Sequence, residues 1–279
     1  MRALLLLALL GVADAAAQPL AEGGARRIAL GRGGVALGGD VWGHANAASW
    51  ADLDGRAAGL QASQAYGLSE LRLAALAVAA PTPVGTVALA ARTYGFDQHR
   101  ETRVELGAGR TVALSRSRSL DVGVALGVES TRTADRGETT FGSTNTLVLS
   151  AGVQGEVLRG VRVGLSGRNL LGVARSAEAD LSSPISTVPS VAVGLAYEPS
   201  ETATVVLDAV QDLDFGLGVS GGVEVLPVEM LAIRVGAGTT PVRYSAGVGV
   251  RASGLVADLA VEKHQELGLT PAVGLGISF

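Results

Sequence analysis

Two glycine patterns and three histidines are the residues whose types and spacing could do chemistry. Gly31-Arg32-Gly33-Gly34-Val35-Ala36 fits G-x-G-x-x-A, in which a glycine turn lays a pyrophosphate on a helix N-terminus. No helical period follows it, so the strand-turn-helix setting that gives the pattern its meaning is missing. Gly218-Val219-Ser220-Gly221-Gly222 fits G-x-S-x-G, but a nucleophile elbow needs a turn into a helix and triad partners. Ser220 falls inside a strand-like alternation and reads as a small inward residue. His44, His99 and His264 show neither metal-ligand spacing nor a fixed offset from a serine. A Ser-His hydrolase is the enzymatic alternative, which a serine-to-alanine scan with an esterase assay would separate. The reading is of a non-enzymatic chain in which no catalytic, cofactor-binding or metal-ligating residue is assigned.

What remains is a set of charges at alternate positions. Strand parity points Arg92, Arg103, Arg162, Arg168, Arg234, Arg243 and Arg251 to one side, together with Glu105, Asp121, Glu129, Asp208, Glu224 and Asp258. Such a lining suits either a wet channel or a paired network that fills a lumen and grips a plug through acids such as Asp40. Balanced signs, with glycine and alanine leaving room between them, favour the network. Groups that merely solvate an inner wall would look the same.

The elements that carry these charges are strands. In residues 271–279, Val273, Leu275, Ile277 and Phe279 alternate with Ala272, Gly274, Gly276 and Ser278, a period of two. The pattern recurs over about fourteen segments of the length a tilted membrane strand requires. They span 57–66, 70–80, 84–94, 102–113, 120–130, 146–156, 161–171, 190–197, 203–211, 215–225, 229–238, 242–252, 255–262 and 271–279. The greasy face is expected to meet lipid and the small or polar face to line the inside of a closed antiparallel barrel. Residues 70–80, apolar on both faces, fit least well.

The connections sort by length. Short links leave the even-numbered strands, whereas the long ones, 96–101, 130–145, 172–189 and 263–270, leave odd-numbered strands. Bacterial barrels have short periplasmic turns and longer outer loops, so both ends of the barrel chain are expected on the periplasmic side. Aromatic residues for interfacial girdles are few: Tyr66, Tyr94, Phe96, Phe141, Tyr197, Phe215, Tyr244 and Phe279, mostly near strand ends. A secreted β-sandwich is the architectural rival. It would not need a lipid-length strand so many times over, and its core would use more large aromatics.

Composition agrees. Between residues 20 and 279 no apolar run reaches the roughly 18 to 20 residues of a membrane helix. A net charge of −4 argues against nucleic acid as a partner. Residues 1–17, with Arg2, an apolar run over 3–12 and Ala15-Ala16-Ala17, read as a secretory signal. With no cysteine, neither a cysteine-linked lipid anchor nor a disulfide is available.

Residues 18–54 break the strand rhythm. Eight glycines from Gly23 to Gly43 lie there with both tryptophans, Trp42 and Trp50, and Asn46 is placed to cap a short helix over 47–52. The segment reads as a plug or hatch. The run over 29–37, including Gly33-Gly34, then Asp40-Val41-Trp42 and Asn46-Ala47-Ala48, resembles the amino-terminal signature of the PorV/PorQ family, barrels related in fold to the FadL long-chain fatty-acid transporters. It departs at Ala47, where that family usually has proline. The resemblance implies a component of type IX protein secretion that docks partner proteins, or alternatively a FadL-like channel for hydrophobic small molecules. It also implies that Phe279 acts as an assembly signal.

The expected protein therefore has a signal peptide (1–17), a hatch (18–54) and an outer-membrane β-barrel (55–279) in a Gram-negative-type bacterium. Its expected partners are outer-membrane lipid, the barrel assembly machinery, and either secretion proteins or a hydrophobic solute. The candidate plug and lumen residues are Gly33, Gly34, Asp40, Trp42, Asn46, Arg162, Arg168, Arg234, Arg243 and Arg251.

Overall fold

The computed structural model describes residues 23–115, 118–134, 140–176, 188–213 and 216–279. The expected signal sequence lies outside these. Fourteen antiparallel strands close into one barrel in which each strand pairs with its neighbours in sequence and β1 pairs with β14. The strands are β1 (Ala57–Gln64), β2 (Arg72–Thr82), β3 (Gly85–Gly95), β4 (His99–Ala113), β5 (Ser119–Ala134), β6 (Thr140–Leu158) and β7 (Val161–Ser176). They continue as β8 (Ser190–Ser200), β9 (Ala203–Asp212), β10 (Gly216–Val228), β11 (Leu231–Thr239), β12 (Val242–Ala252), β13 (Leu255–His264) and β14 (Gly268–Ser278). Closure gives every strand a hydrogen-bonded neighbour on both sides, the condition for a sheet to sit in lipid.

Alternation decides which face is which. On β5, Leu126 is 52% exposed and Ala125 only 5%, and the same contrast recurs at Leu106, Leu207, Leu259 and Leu275 against their neighbours. The outward residues form an apolar band, and the buried ones are small or charged. This is the inverse of a soluble sheet, whose large apolar side chains would be inside.

Two of the expected long links are tight turns. β3 and β4 are joined by residues 96–98, and β13 and β14 by 265–267, because β4 and β14 begin three residues before the segments read from alternation while β3 and β13 end one and two residues after them. β4 to β7 run 15 to 19 residues, while the other strands run 8 to 13, so one side of the barrel stands taller at the end opposite Arg56 and Phe279. In the remaining long links, residues 130–134, 140–145 and 172–176 belong to strands, while Val188 and Pro189 are irregular and lead into β8.

The two apolar faces of β2 have a physical cause. Leu76 and Val78 face outward, whereas Ala77 packs against Trp42 and Ala79 against Trp50, both in the segment before β1. The inner wall there meets protein instead of water.

Candidate functional site

Residues 23–54 lie against the inner face of the wall. A six-residue helix, α1 (Gly24–Ala29), packs on β11 to β14 and β1, and a 3-10 helix over Ala47–Asp52 packs on β3 to β6 on the other side. Asn46 caps the latter, its Oδ1 accepting from the Ala48 N–H at 3.0 Å. Its Nδ2 donates to the carbonyls of Val35 at 2.9 Å and of Val153 on β6 at 3.1 Å, so one amide ties the segment to itself and to the wall.

The wall is relieved by glycine where the segment's backbone passes. A Cβ on Gly222 would stand 2.7 Å from the Leu30 Cα, and one on Gly109 would stand 2.6 Å from the Ala51 nitrogen. On Gly107 it would overlap the Trp50 ring, on Gly123 the Ala47 carbonyl, on Gly164 the Val35 carbonyl and on Gly236 the Gly31 nitrogen. These strand glycines provide clearance, a use distinct from the left-handed turn at Gly31, whose φ is 70°.

Among the described residues, arginine–carboxylate pairs fasten the segment at three places, and His44 stands 3.6 Å from Glu105 on β4. Arg26 makes a two-pronged contact with Glu224 at 3.0 and 2.7 Å, and Arg234 joins the same carboxylate and reaches Asp258 at 2.6 Å. Arg251 lies 3.7 Å from Glu224 at the edge of this cluster. Arg32 is held by Glu262 at 2.9 and 2.7 Å, with Arg243 behind it at 3.6 Å. On the far side Arg162 bridges Asp52 at 2.7 Å and Asp121 at 2.9 Å. Two-pronged guanidinium contacts away from bulk water fix orientation as well as position. Asp208 accepts from the backbone N–H groups of Gly34 at 2.7 Å and Val35 at 3.0 Å, so the glycine run meets an inward carboxylate. Gly33 passes against the wall at Val206.

Asp40 does not take the gripping role expected of it. It makes no ion pair among the described residues. Its Oδ1 accepts from the Trp42 N–H at 3.0 Å, and burial pushes its carboxyl up, against the downward pull of that hydrogen bond and of Arg26. Charge pairing falls on Arg26, Arg32 and Asp52 instead. Trp42 is buried beside His44, their ring centroids 6.2 Å apart, and Trp50 donates from Nε1 to the Val41 carbonyl at 2.9 Å.

Arg168 is separate from these clusters. It sits in an irregularity of β7: Leu149 pairs with Leu171 and Ala151 with Gly167, so Ser150 alone faces Arg168, Asn169 and Leu170. Asn169 is left-handed with φ 53°; its N–H reaches the Ser150 hydroxyl at 3.4 Å and its Nδ2 donates to the Val188 carbonyl at 3.1 Å. The β7–β8 ladder ends at Arg168 and Ser190. The two sides of this bulge face different spaces. Arg168 and Asn169 line a chamber inside the barrel whose floor includes Trp42 and Trp50. Gly167 and Leu170 line an apolar groove of about 630 Å³ on the outer wall, with Val122, Val153 and Val191. A second inner chamber, about 380 Å³, lies at the end holding Asp54, Ala57 and Ser278.

Sequence reasoning missed Arg26, Arg32, Asp52 and Glu262. The three arginines of an otherwise neutral glycine-rich stretch, Arg26, Arg27 and Arg32, were the available signal. Nothing in the alternation marked the bulge except the adjacent leucines, Leu170 and Leu171, both of which are exposed.

No protein-family model matches the chain, and no curated protein matches it. Solved structures do. The CymD monoaromatic hydrocarbon channel superposes with a TM-score of 0.68 at 13% identity, over 94% of this chain and 99% of that one. A Pseudomonas aeruginosa FadL homologue superposes with a TM-score of 0.60 at 11% identity, over 94% and 98%. The Pseudomonas putida toluene transporter TodX gives 0.59 at 10% identity, over 93% and 97%. At such identities the likeness is one of fold. The chain has the fold of the FadL-type outer-membrane barrels, and with its apolar band turned outward it is a protein of the outer membrane.

Proposed function

We propose that the protein is a non-enzymatic, FadL-like outer-membrane channel that takes up small hydrophobic molecules, with residues 23–54 as its hatch. One observation carries this reading: the β7 bulge, whose inner side lines the chamber above the tryptophans and whose outer side lines an apolar groove on the lipid face. The straight path through the lumen is filled by the docked segment. An apolar solute that reaches the chamber is therefore separated from lipid by a wall in which one residue on β6 faces three on β7. The fold neighbours described as hydrocarbon channels or transporters support the same reading, and their being channels favours a non-enzymatic role.

The narrower assignment to PorV/PorQ proteins, and with it a docking role in type IX secretion, has no neighbour or site geometry behind it. The channel reading is the better supported of the two. Its test is uptake of a radiolabelled monoaromatic hydrocarbon into cells expressing the protein. A variant that shortens β7 by deleting Asn169 and Leu170, restoring a regular ladder, should take up the solute at the rate of cells lacking the protein while still shifting on a gel with boiling. Uptake at the wild-type rate by that variant would sink the proposal.

A further inference from the structure

The inner chamber above the tryptophans is not a neutral hole. It is lined by six arginines, Arg27, Arg32, Arg92, Arg103, Arg168 and Arg243, against three carboxylates, Glu101, Glu105 and Asp212. Three further acids stand behind that lining, Glu129 against Arg92 and Arg103, Glu262 against Arg32 and Arg243, and Asp208 near Arg27. The excess of arginines belongs to the lining itself; with these three acids counted the charges balance among the described residues, six against six. Arg168 is half-buried at the edge of the chamber, and it makes no ion pair or hydrogen bond among the described residues. The sign reverses at the other end of the lumen, where the lining has Asp40, Asp52, Asp54 and Asp258 against Arg26 and Arg251. Among the described residues, then, the linings of the two chambers carry opposite signs, with the arginines at one end.

The chamber also has a size and an apolar side. It measures about 120 Å³ and includes Ala47, Ala125, Val210 and the two indoles. An apolar cavity of roughly 150 Å³ takes up one benzene ring, so the enclosed part of this chamber is on the scale of one aromatic ring. A basic lining beside an apolar floor suits a molecule with one of each, because a guanidinium in a partly desolvated chamber favours a planar carboxylate in the geometry of two parallel N–H donors.

We propose that this chamber binds a one-ring organic carboxylate, with Arg168 meeting the carboxylate and the ring resting against the Trp42 and Trp50 side. This deepens the channel reading and rests on it: the preferred solute is an anion with a small apolar body, distinct from the neutral hydrocarbons named for the fold neighbours.

The chain carries only two tryptophans, and both line the chamber, so intrinsic fluorescence reports on it. Purified protein in detergent is titrated with benzoate and with benzyl alcohol, which keeps the ring and removes the charge. Benzoate should quench with a dissociation constant at least tenfold below that of benzyl alcohol, and the difference should shrink as salt rises from low to molar concentration. R168Q should bring benzoate to within about twofold of benzyl alcohol, while R168K should keep part of the preference. Gel mobility before and after boiling confirms that each variant is a folded barrel. Equal affinity for the two ligands in the wild type, or an undiminished benzoate preference in folded R168Q, overturns the proposal and leaves the channel reading standing. If neither ligand quenches and labelled hydrocarbon uptake is also absent, both fail.

Discussion

Trp50 occupies the space that a Cβ on Gly107 would need: the indole of the enclosed segment lies directly on a glycine of β4. The wall and its contents are cut to one another, so a change on the wall can be read through the segment.

Gly107→Val should displace the Trp50 side of the segment without unfolding the barrel. Overpacking a close contact costs about 1–3 kcal/mol, and it falls on the docking, because the wall strands satisfy one another's backbone groups. Limited proteolysis should cut the variant between residues 40 and 54 faster than the wild type, at unchanged gel mobility. Equal rates of cutting would show that the contact is not holding the segment.

Removing residues 23–45 should leave a folded barrel and raise its conductance in a planar bilayer well above wild type. α1, Arg26, Arg32 and Trp42 all go with the deletion, while Asp52 and Arg162 remain. A folded deletion variant that conducts no better would mean that the lumen is blocked by its own side chains.

Arg234→Ala should be among the most destabilising single changes. Arg234 is fully buried between Glu224 and Asp258, and removing one partner of a buried cluster costs about 3–5 kcal/mol because the remaining charges lose their compensation. Urea unfolding in detergent micelles measures it. A loss below about 1 kcal/mol would show the cluster to be well hydrated.

Leu126→Arg should cost about 2–4 kcal/mol in a bilayer, since this side chain lies mid-strand on the outer face. Its neighbour Ala125 faces Trp50, so Ala125→Ser places a hydroxyl against the segment instead of in open water. Reversible folding into vesicles should separate the two changes clearly. Comparable costs would mean that the outer face is not in contact with lipid.

Deleting Phe279 should lower the amount of protein inserted in cells far more than it lowers the stability of what is inserted. In the folded barrel Phe279 is 71% exposed, and its backbone exchanges two hydrogen bonds with Arg56, both 2.9 Å, a net contribution of about 1 kcal/mol each. Normal insertion of the deletion variant would remove the assembly-signal reading.

The architecture was legible because a membrane barrel writes its two faces into every second residue, and the spans read for β12, β9 and β13 differ from the observed strands by no more than two residues at either end. Strand ends at the tall side were less legible, since ladders such as that of β5 continue to Ala134 through polar residues that carry no apolar alternation. Pairings inside the lumen were not legible at all. Parity places Arg162 inward but says nothing of which inward residue it meets, and its partner Asp52 lies 110 positions earlier. Arg168 was read as inward with the rest. Only the count of residues facing Ser150 shows that its surroundings differ.

The seam between β1 and β14 also implies an order in time. The enclosed segment leads into β1 through Gly55 and Arg56, and β1 completes the cylinder only when it registers with β14, the last strand in chain order. A finished cylinder would offer the segment only its two ends as entrances, with several arginines to be stripped of water on the way in. The barrel is therefore expected to wrap around its contents and not to be filled afterwards. In a chain with no native cysteine, an A47C/A125C link between segment and wall should form earlier in assembly than an S63C/A272C link across the seam; the reverse order would mean that the cylinder closes empty.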